Sequence, residues 1–231
     1  MAGQLREIAK DMWVCERPLR FLGVEIGTRM TVVRLDGLWV CSPVEPTDAL
    51  RRELDALEGG AGGGDVRYVV APNRYHHLFV EAFSKAYPAA QLYGSPGITR
   101  KRSDLRMQAV RETSDWGGAI ECVRLGGMPI LDELAFLHHP SKTLLLTDFF
   151  MHFDPKFPRL TDWAMRLEGV REEPGVPRTV RMLMVRDRTK LRTSIQRILA
   201  WSFERIVIAH GPVIEQRGHE IFERATRWLV G

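Results

Sequence analysis

The pair Asp36-Gly37 stands between two strand-like runs, Met30-Thr31-Val32-Val33-Arg34-Leu35 and Leu38-Trp39-Val40-Cys41. Asp-Gly in that setting accepts the positive φ angles of a two-residue hairpin turn. With Val24-Glu25-Ile26-Gly27 just upstream across another short turn, the chain opens on hairpins, which a plain doubly wound sheet does not. Ser42-Pro43-Val44-Glu45-Pro46 then breaks the pattern, and Thr47 predicts the N-cap of a helix carrying Leu50, Leu54 and Leu57 at helical spacing. A buried-type strand over 66–71 ends at Pro72-Asn73, and a helix is predicted from about His76 to Tyr87.

Further strands are predicted at 91–94 and 119–125, and a hairpin at 133–138 and 143–148 around Pro140-Ser141-Lys142. Helical, loop-broken sequence fills about 154–203, with its best helix at 191–203, before a last strand at 205–209 and a final helix. Strands early and late with helices between predict an α+β chain: a sheet sandwich covered by helices, one domain over 1–231. The glycine-rich run at 58–65 follows a helix rather than a strand and lacks a Gly-Lys-Ser/Thr ending. It reads as a connector, not a phosphate loop.

Hydrophobic residues make up 45% and charged residues 27%, enough for one real core. The N-terminal residues mix charges with no apolar run behind them, and no stretch approaches the ~20 apolar residues of a membrane span. Cys15, Cys41 and Cys122 are odd in number and widely spaced, which predicts reduced thiols and a cytoplasmic location. The net charge of +4 is mild, and the clusters at 100–106 and 186–192 lack interleaved aromatics. They read as solvated helix starts, so a small-molecule ligand is expected rather than nucleic acid.

Residues of metal-binding type follow three separate strands. The strand at 66–71 runs into Asn73-Arg74-Tyr75-His76-His77, that at 143–147 into Asp148, and that at 205–209 into His210-Gly211. Strand ends bring distant positions to one sheet edge, as a metal site requires. These segments, in this order, resemble the metallo-β-lactamase superfamily. That family places a His-x-His-x-Asp-His motif after one strand, a second-half histidine, a bridging aspartate and a late Gly-His-Gly. Ser42-Pro43-Val44-Glu45-Pro46-Thr47, Ala71-Pro72-Asn73 with His76-His77, and Pro140-Ser141-Lys142-Thr143 are similar to a branch of it catalogued as a domain of unknown function. The resemblance implies a four-layer αββα sandwich.

It also implies a metal site, here with a degenerate motif. Asn73 and Tyr75 stand where the family has its first two histidines, and Met128-Pro129 where it has the second-half histidine. The expectation is therefore one divalent metal at most, zinc first, with iron or manganese as other candidates, or none. His76, His77, Asp148 and His210 are the candidate ligands, with Asp148 and His210 as catalytic residues. A helix N-terminus is expected to keep the His76 and His77 rings neutral, and their ~100° offset lets one metal take only one of them. Asn73, Tyr75, Asp132 and His152 are candidate pocket residues. Asp132 could replace the missing histidine, because the hairpin register brings Asp132 and Glu133 opposite Asp148. His138 and His139 lie beside the hairpin turn, about 15 Å from Asp148 at ~3.3 Å per residue. They are excluded. Two functions fit these residues: a mononuclear metal-dependent hydrolase, or a non-catalytic binding or interaction module without metal.

Overall fold

The computed structural model describes residues 4–21, 23–57, 65–111, 116–153 and 159–230; apart from Asp65, the expected glycine-rich connector lies outside them. The first half forms β1 (Arg6–Ala9), β2 (Met12–Arg17), β3 (Arg20–Phe21), β4 (Val24–Glu25), β5 (Thr28–Arg34), β6 (Leu38–Cys41), α1 (Asp48–Asp55), β7 (Val66–Ala71), α2 (Val80–Ala86), β8 (Gln91–Gly94), α3 (Pro96–Lys101) and β9 (Gln108–Ala109). The second half forms β10 (Ile120–Arg124), β11 (Leu134–His138), β12 (Thr143–Leu145), α4 (Arg159–Glu168), a π-helical turn at Val180–Met184, α5 (Arg188–Leu199), β13 (Arg205–Val207) and α6 (Gly218–Val230).

Among the described residues, one sheet runs β1-β2-β5-β6-β7-β8-β9, a second β10-β11-β12-β13, and β3 and β4 form a ribbon. The hairpin expected at Asp36-Gly37 forms, joining β5 to β6 antiparallel with Thr31 opposite Cys41. It does so through a three-residue loop, Leu35-Asp36-Gly37, in which neither Asp36 nor Gly37 takes a positive φ; the expected two-residue turn is corrected. From β6 onward the first sheet is parallel, as is the β12–β13 pair of the second.

Side chains alternate across a strand, and here both faces of each sheet are apolar. Val14, Val33, Trp39, Cys41, Val70, Phe136, Leu145 and Val207 meet between the sheets. Their neighbours Cys15, Val32, Leu38 and Val40 face outward onto Leu50 and Leu54 of α1 and Val80 and Phe83 of α2. On the other side Ala135, Leu137, Leu144 and Ile206 pack on Leu191, Ile195 and Ile198 of α5 and Phe222 and Leu229 of α6. The layers thus run helix, sheet, sheet, helix, in the αββα order expected. Double-sided burial is also why these strands read as continuous apolar runs rather than alternating ones. Thr47 caps α1 as predicted, its Oγ1 accepting from Leu50 N at 3.3 Å.

The helix expected from His76 begins only at Val80. Asn73 Oδ1 accepts from Tyr75 N at 2.8 Å and His76 N at 2.9 Å, and this side-chain turn bends the chain before a helix can start. His138 and His139 lie at the turn end of β11 as expected. His138 is buried, its Nδ1 lies 2.7 Å from Ser141 Oγ, and burial pushes its pKa down to about 4.

Phe136 is fully buried at the centre of the inner layer, 5.2 Å from the Trp39 ring and 5.9 Å from Trp116. Phe136→Ala should cost about 3–5 kcal/mol of unfolding free energy through lost contacts and a residual cavity. Leu183→Ala, at a side chain 59% exposed, should change it by less than about 0.5 kcal/mol. Urea unfolding of the two variants checks the contrast. Comparable losses would contradict an inner layer packed this way.

Candidate metal centre

The ends of β6, β7, β12 and β13 share one edge of the sandwich. Ser42 follows β6, Asn73 and His76 follow β7, Thr147 and Asp148 follow β12, and His210 follows β13. Because β11 runs antiparallel to β12, the residue preceding it, Glu133, reaches the same edge.

At that edge His76 Nε2 lies 3.4 Å from Asp148 Oδ2, His210 Nε2 3.0 Å from Asp148 Oδ1, and the two Nε2 atoms 3.3 Å apart. Among the described residues this trio is the group of His, Cys, Asp and Glu ligand atoms that converges closely enough to hold an ion. The other ring nitrogens are tied elsewhere. His210 Nδ1 donates to the Gly27 carbonyl at 2.8 Å, and His76 Nδ1 lies 2.6 Å from Ser42 Oγ.

The carboxylate is supported from behind. Asn73 Nδ2 donates to Asp148 Oδ2 at 2.6 Å and to Thr147 Oγ1 at 2.9 Å. Glu133 is fully buried and accepts from the backbone N–H of Thr147 at 2.8 Å, Asp148 at 2.9 Å and Phe149 at 3.0 Å. Asn73 Nδ2 adds a fourth donor at 3.2 Å. Gly211 continues the chain at φ 128°, where a Cβ would lie 1.7 Å from the His152 carbonyl oxygen, so only glycine lets the chain pass after His210.

Charge follows from these contacts. Burial pushes Asp148 up, but the His76 charge and the His210 hydrogen bond outweigh it and hold the carboxyl well below its usual range. Burial lowers His76, yet Asp148 and Glu133 overcome this and raise it above an ordinary histidine. The expectation that a helix N-terminus keeps this ring neutral is therefore corrected: no helix starts there, and a carboxylate faces the ring. Burial and the nearby Asp148 raise Glu133 despite its N–H donors.

Other candidates fall outside the trio. His77 turns away: its Nε2 accepts from Lys101 Nζ at 3.0 Å, and burial with the Lys101 and Arg102 charges lowers its pKa. Asp132 is also corrected. It lies in a left-handed turn at φ 52° and binds Gly97 N and the Arg124 guanidinium, whereas Glu133 one residue on points to the site. Tyr75 is 40% exposed. The His152 backbone donates to the His210 carbonyl at 3.2 Å, and its ring is not one of the three converging groups. The hairpin register places Glu133 opposite Asp148 without making it a site group, and no sequence signal gives Ser42, Thr147 or the Gly27 carbonyl a role at the site. Of these only Glu133, an acid abutting a buried strand, carried a local signal.

The trio suits a single metal ion. A tetrahedral ion with ~2.0–2.1 Å bonds has ligand edges of about 3.3 Å, close to the 3.0–3.4 Å found here. Because His210 Nδ1 donates to Gly27, it is Nε2 that meets the ionised Asp148 carboxylate, with a proton or a cation between the two atoms.

A family model described as a domain of unknown function (DUF4336) matches residues 9–176. No curated protein matches the sequence. Similar solved structures include a metallo-β-lactamase from Pontibacter korlensis, 12% identical with TM-score 0.66, over 97% of this chain and 99% of that one. The FIM-1 metallo-β-lactamase from Pseudomonas aeruginosa in its mono-zinc form is 9% identical with TM-score 0.65, over 98% and 94%. The Flv1 flavodiiron core from Synechocystis sp. PCC6803, a metal-soaked structure, is 14% identical with TM-score 0.68, over 98% of this chain and 60% of that one. At such identities the likeness shows a shared fold.

The His76 shift gives a prediction for the metal-free protein. Its folded pKa is raised from 6.5, so its stabilising contribution is complete below pH 6.5 and is lost as pH rises through the folded value. With chelator present, the melting-temperature difference between the parent and His76→Gln should shrink as pH rises above 6.5. A difference that grows with pH would contradict the His76–Asp148 ion pair.

Proposed function

The chain belongs to the DUF4336 family and carries the metallo-β-lactamase fold, and from that premise we propose a hydrolase with one divalent metal held by His76, Asp148 and His210. One observation carries the reading: two Nε2 atoms and one carboxylate converge at metal-ligand spacing, while both Nδ1 atoms are already engaged. Ligating histidines are commonly oriented in this way. Zinc is the ion assigned, although iron(II) and manganese accept nitrogen and oxygen donors as well. The mono-zinc FIM-1 and the flavodiiron core support a metal on this fold, of one kind or the other.

When bound with an open position, such an ion supplies Lewis acidity and brings the ionisation of water toward neutral pH. The chain's own groups orient the ligands. Gly27 and Ser42 aim the imidazoles, and Asn73 with the loop on Glu133 holds Asp148. The Asp148 side chain is 15% exposed against 7% for His76 and 3% for His210, so the site opens to solvent on the carboxylate side. One ion is proposed rather than two. The amide of Asn73 takes the place of an imidazole, Tyr75 points outward, and Met128 is buried in the outer apolar layer. The ligand is proposed to be a small molecule, and the burial and wide spacing of the three cysteines fit a reducing compartment. Among the described residues no helix is long and apolar enough to cross a membrane.

A metal-free binding module is the second reading. It is favoured by the 2.6 Å bond from Asn73 to Asp148, which takes a carboxylate lone pair and helps close the network without an ion.

Elemental analysis of protein purified without a metal-binding tag tests the first reading. The expected result is close to one transition-metal ion per chain, with Asp148→Asn and His210→Ala each reduced to a small fraction of it. Any ester, thioester or phosphodiester hydrolysis found by screening should disappear in the same variants. Two tightly held ions per chain would rule out the mononuclear site. Failure to take up zinc, iron or manganese on supplementation would leave the module.

A further inference from the structure

The two histidines of the trio are oriented by different means. His210 is held by the backbone carbonyl of Gly27, whereas His76 depends on one side chain. Ser42 Oγ lies 2.6 Å from His76 Nδ1 in a buried position. The serine presenting it has φ 55°, a region disfavoured for any residue with a Cβ. That backbone is locked on one side by the Ser42 N–H donating to the Val70 carbonyl at 3.0 Å and on the other by Pro43. Glycine would adopt this φ without strain, but it could not reach the ring.

We propose that Ser42 is a positioning residue whose hydroxyl, aimed by its left-handed backbone, sets the His76 ring so that Nε2 faces Asp148 and His210. The inference rests on the trio as a metal centre and names the group that orients its least anchored ligand. An imidazole bound to metal through Nε2 carries its proton on Nδ1, so Ser42 Oγ is the acceptor in that state. The serine must then donate its own proton. It lines a small, mostly apolar space of about 10 Å³ that Thr31 and Thr147 also face, at the lower limit for one water. Without the hydroxyl only the contacts of Nε2 with Asp148 and His210 remain to orient the ring, and Nε2 is held less firmly in the trio.

Ser42→Gly and Ser42→Ala separate the hydroxyl from the backbone. Both lose the hydroxyl, but only glycine relieves the strain. The zinc dissociation constant should rise about 10- to 100-fold in both variants, the usual range for losing a group that orients a ligand. The visible absorption of the cobalt(II)-loaded protein should change in both as well. In chelator, Ser42→Gly should still unfold cooperatively and stay folded at the temperature of the metal titration, so its loss of metal cannot be ascribed to unfolding. Zinc affinity and cobalt spectrum unchanged in Ser42→Gly would overturn the proposal.

Long-range proton–nitrogen NMR of the metal-free protein separates this inference from the metal reading. The ring nitrogens of His76 should shift in both variants while those of His210 stay in place. If they do, the hold of Ser42 on His76 stands even should the parent bind no zinc. His76 signals that do not move would overturn the proposal whether or not the parent binds metal.

Discussion

The edge of the sandwich depends on one buried carboxylate. Glu133 has no exposed surface, and an unpartnered carboxylate there would be expensive to ionise. It is offset by N–H donors from Thr147, Asp148 and Phe149 and by the amide of Asn73. Those bonds tie the start of β11 to the loop leaving β12 and to the turn leaving β7. The connection spans both sheets and places Asp148 where His76 and His210 meet it. The Asn73 amide is central: its oxygen caps the turn that delivers His76, and its nitrogen joins the three acidic or hydroxyl groups around it.

Two left-handed backbone positions lie in the same region. Ser42 and Asp132 are two of the non-glycine residues with positive φ, and both follow or precede strands that end at this edge. Ser42 holds a ring, while Asp132 anchors Gly97 N and Arg124 beside the site. Such conformations persist only where surrounding contacts overdetermine them. Here the inner apolar layer, with Trp39, Trp116 and Phe136 at its centre, supplies a rigid base on which a few polar bonds can dictate geometry.

Opposing charge effects decide the state of the trio. Asp148 stays ionised despite burial because two imidazoles face it, and His76 gains a proton more readily because Asp148 and Glu133 lie near it. A proton and a metal ion thus compete for the same converging atoms. The proton strengthens its hold as pH falls, and a metal gains as pH rises because its ligands must be deprotonated. Two readings of this site, a metal centre and a closed ionic network, are therefore opposite occupants of one arrangement rather than different arrangements.

What was legible in the sequence was one-dimensional. Turn chemistry at Asp36-Gly37 and Pro140-Ser141-Lys142, the Thr47 cap and the apolar runs of β7, β11 and β13 depend on near neighbours, and they announced the layered fold. They also put His76, Asp148 and His210 at strand ends and His138 at the far end. Direction within the site was not legible. Between Asp132 and Glu133, or His76 and His77, one residue separates a side chain at the site from one pointing away. A turn of the Asn73 amide, not a helix, made that choice for the histidines. The role of Ser42 and the Gly27 carbonyl was equally invisible, since 34 residues separate Ser42 from His76 and 183 separate Gly27 from His210. Only closure of the two sheets, which buries their apolar faces and brings parallel strand ends to one edge, decides which polar atoms meet.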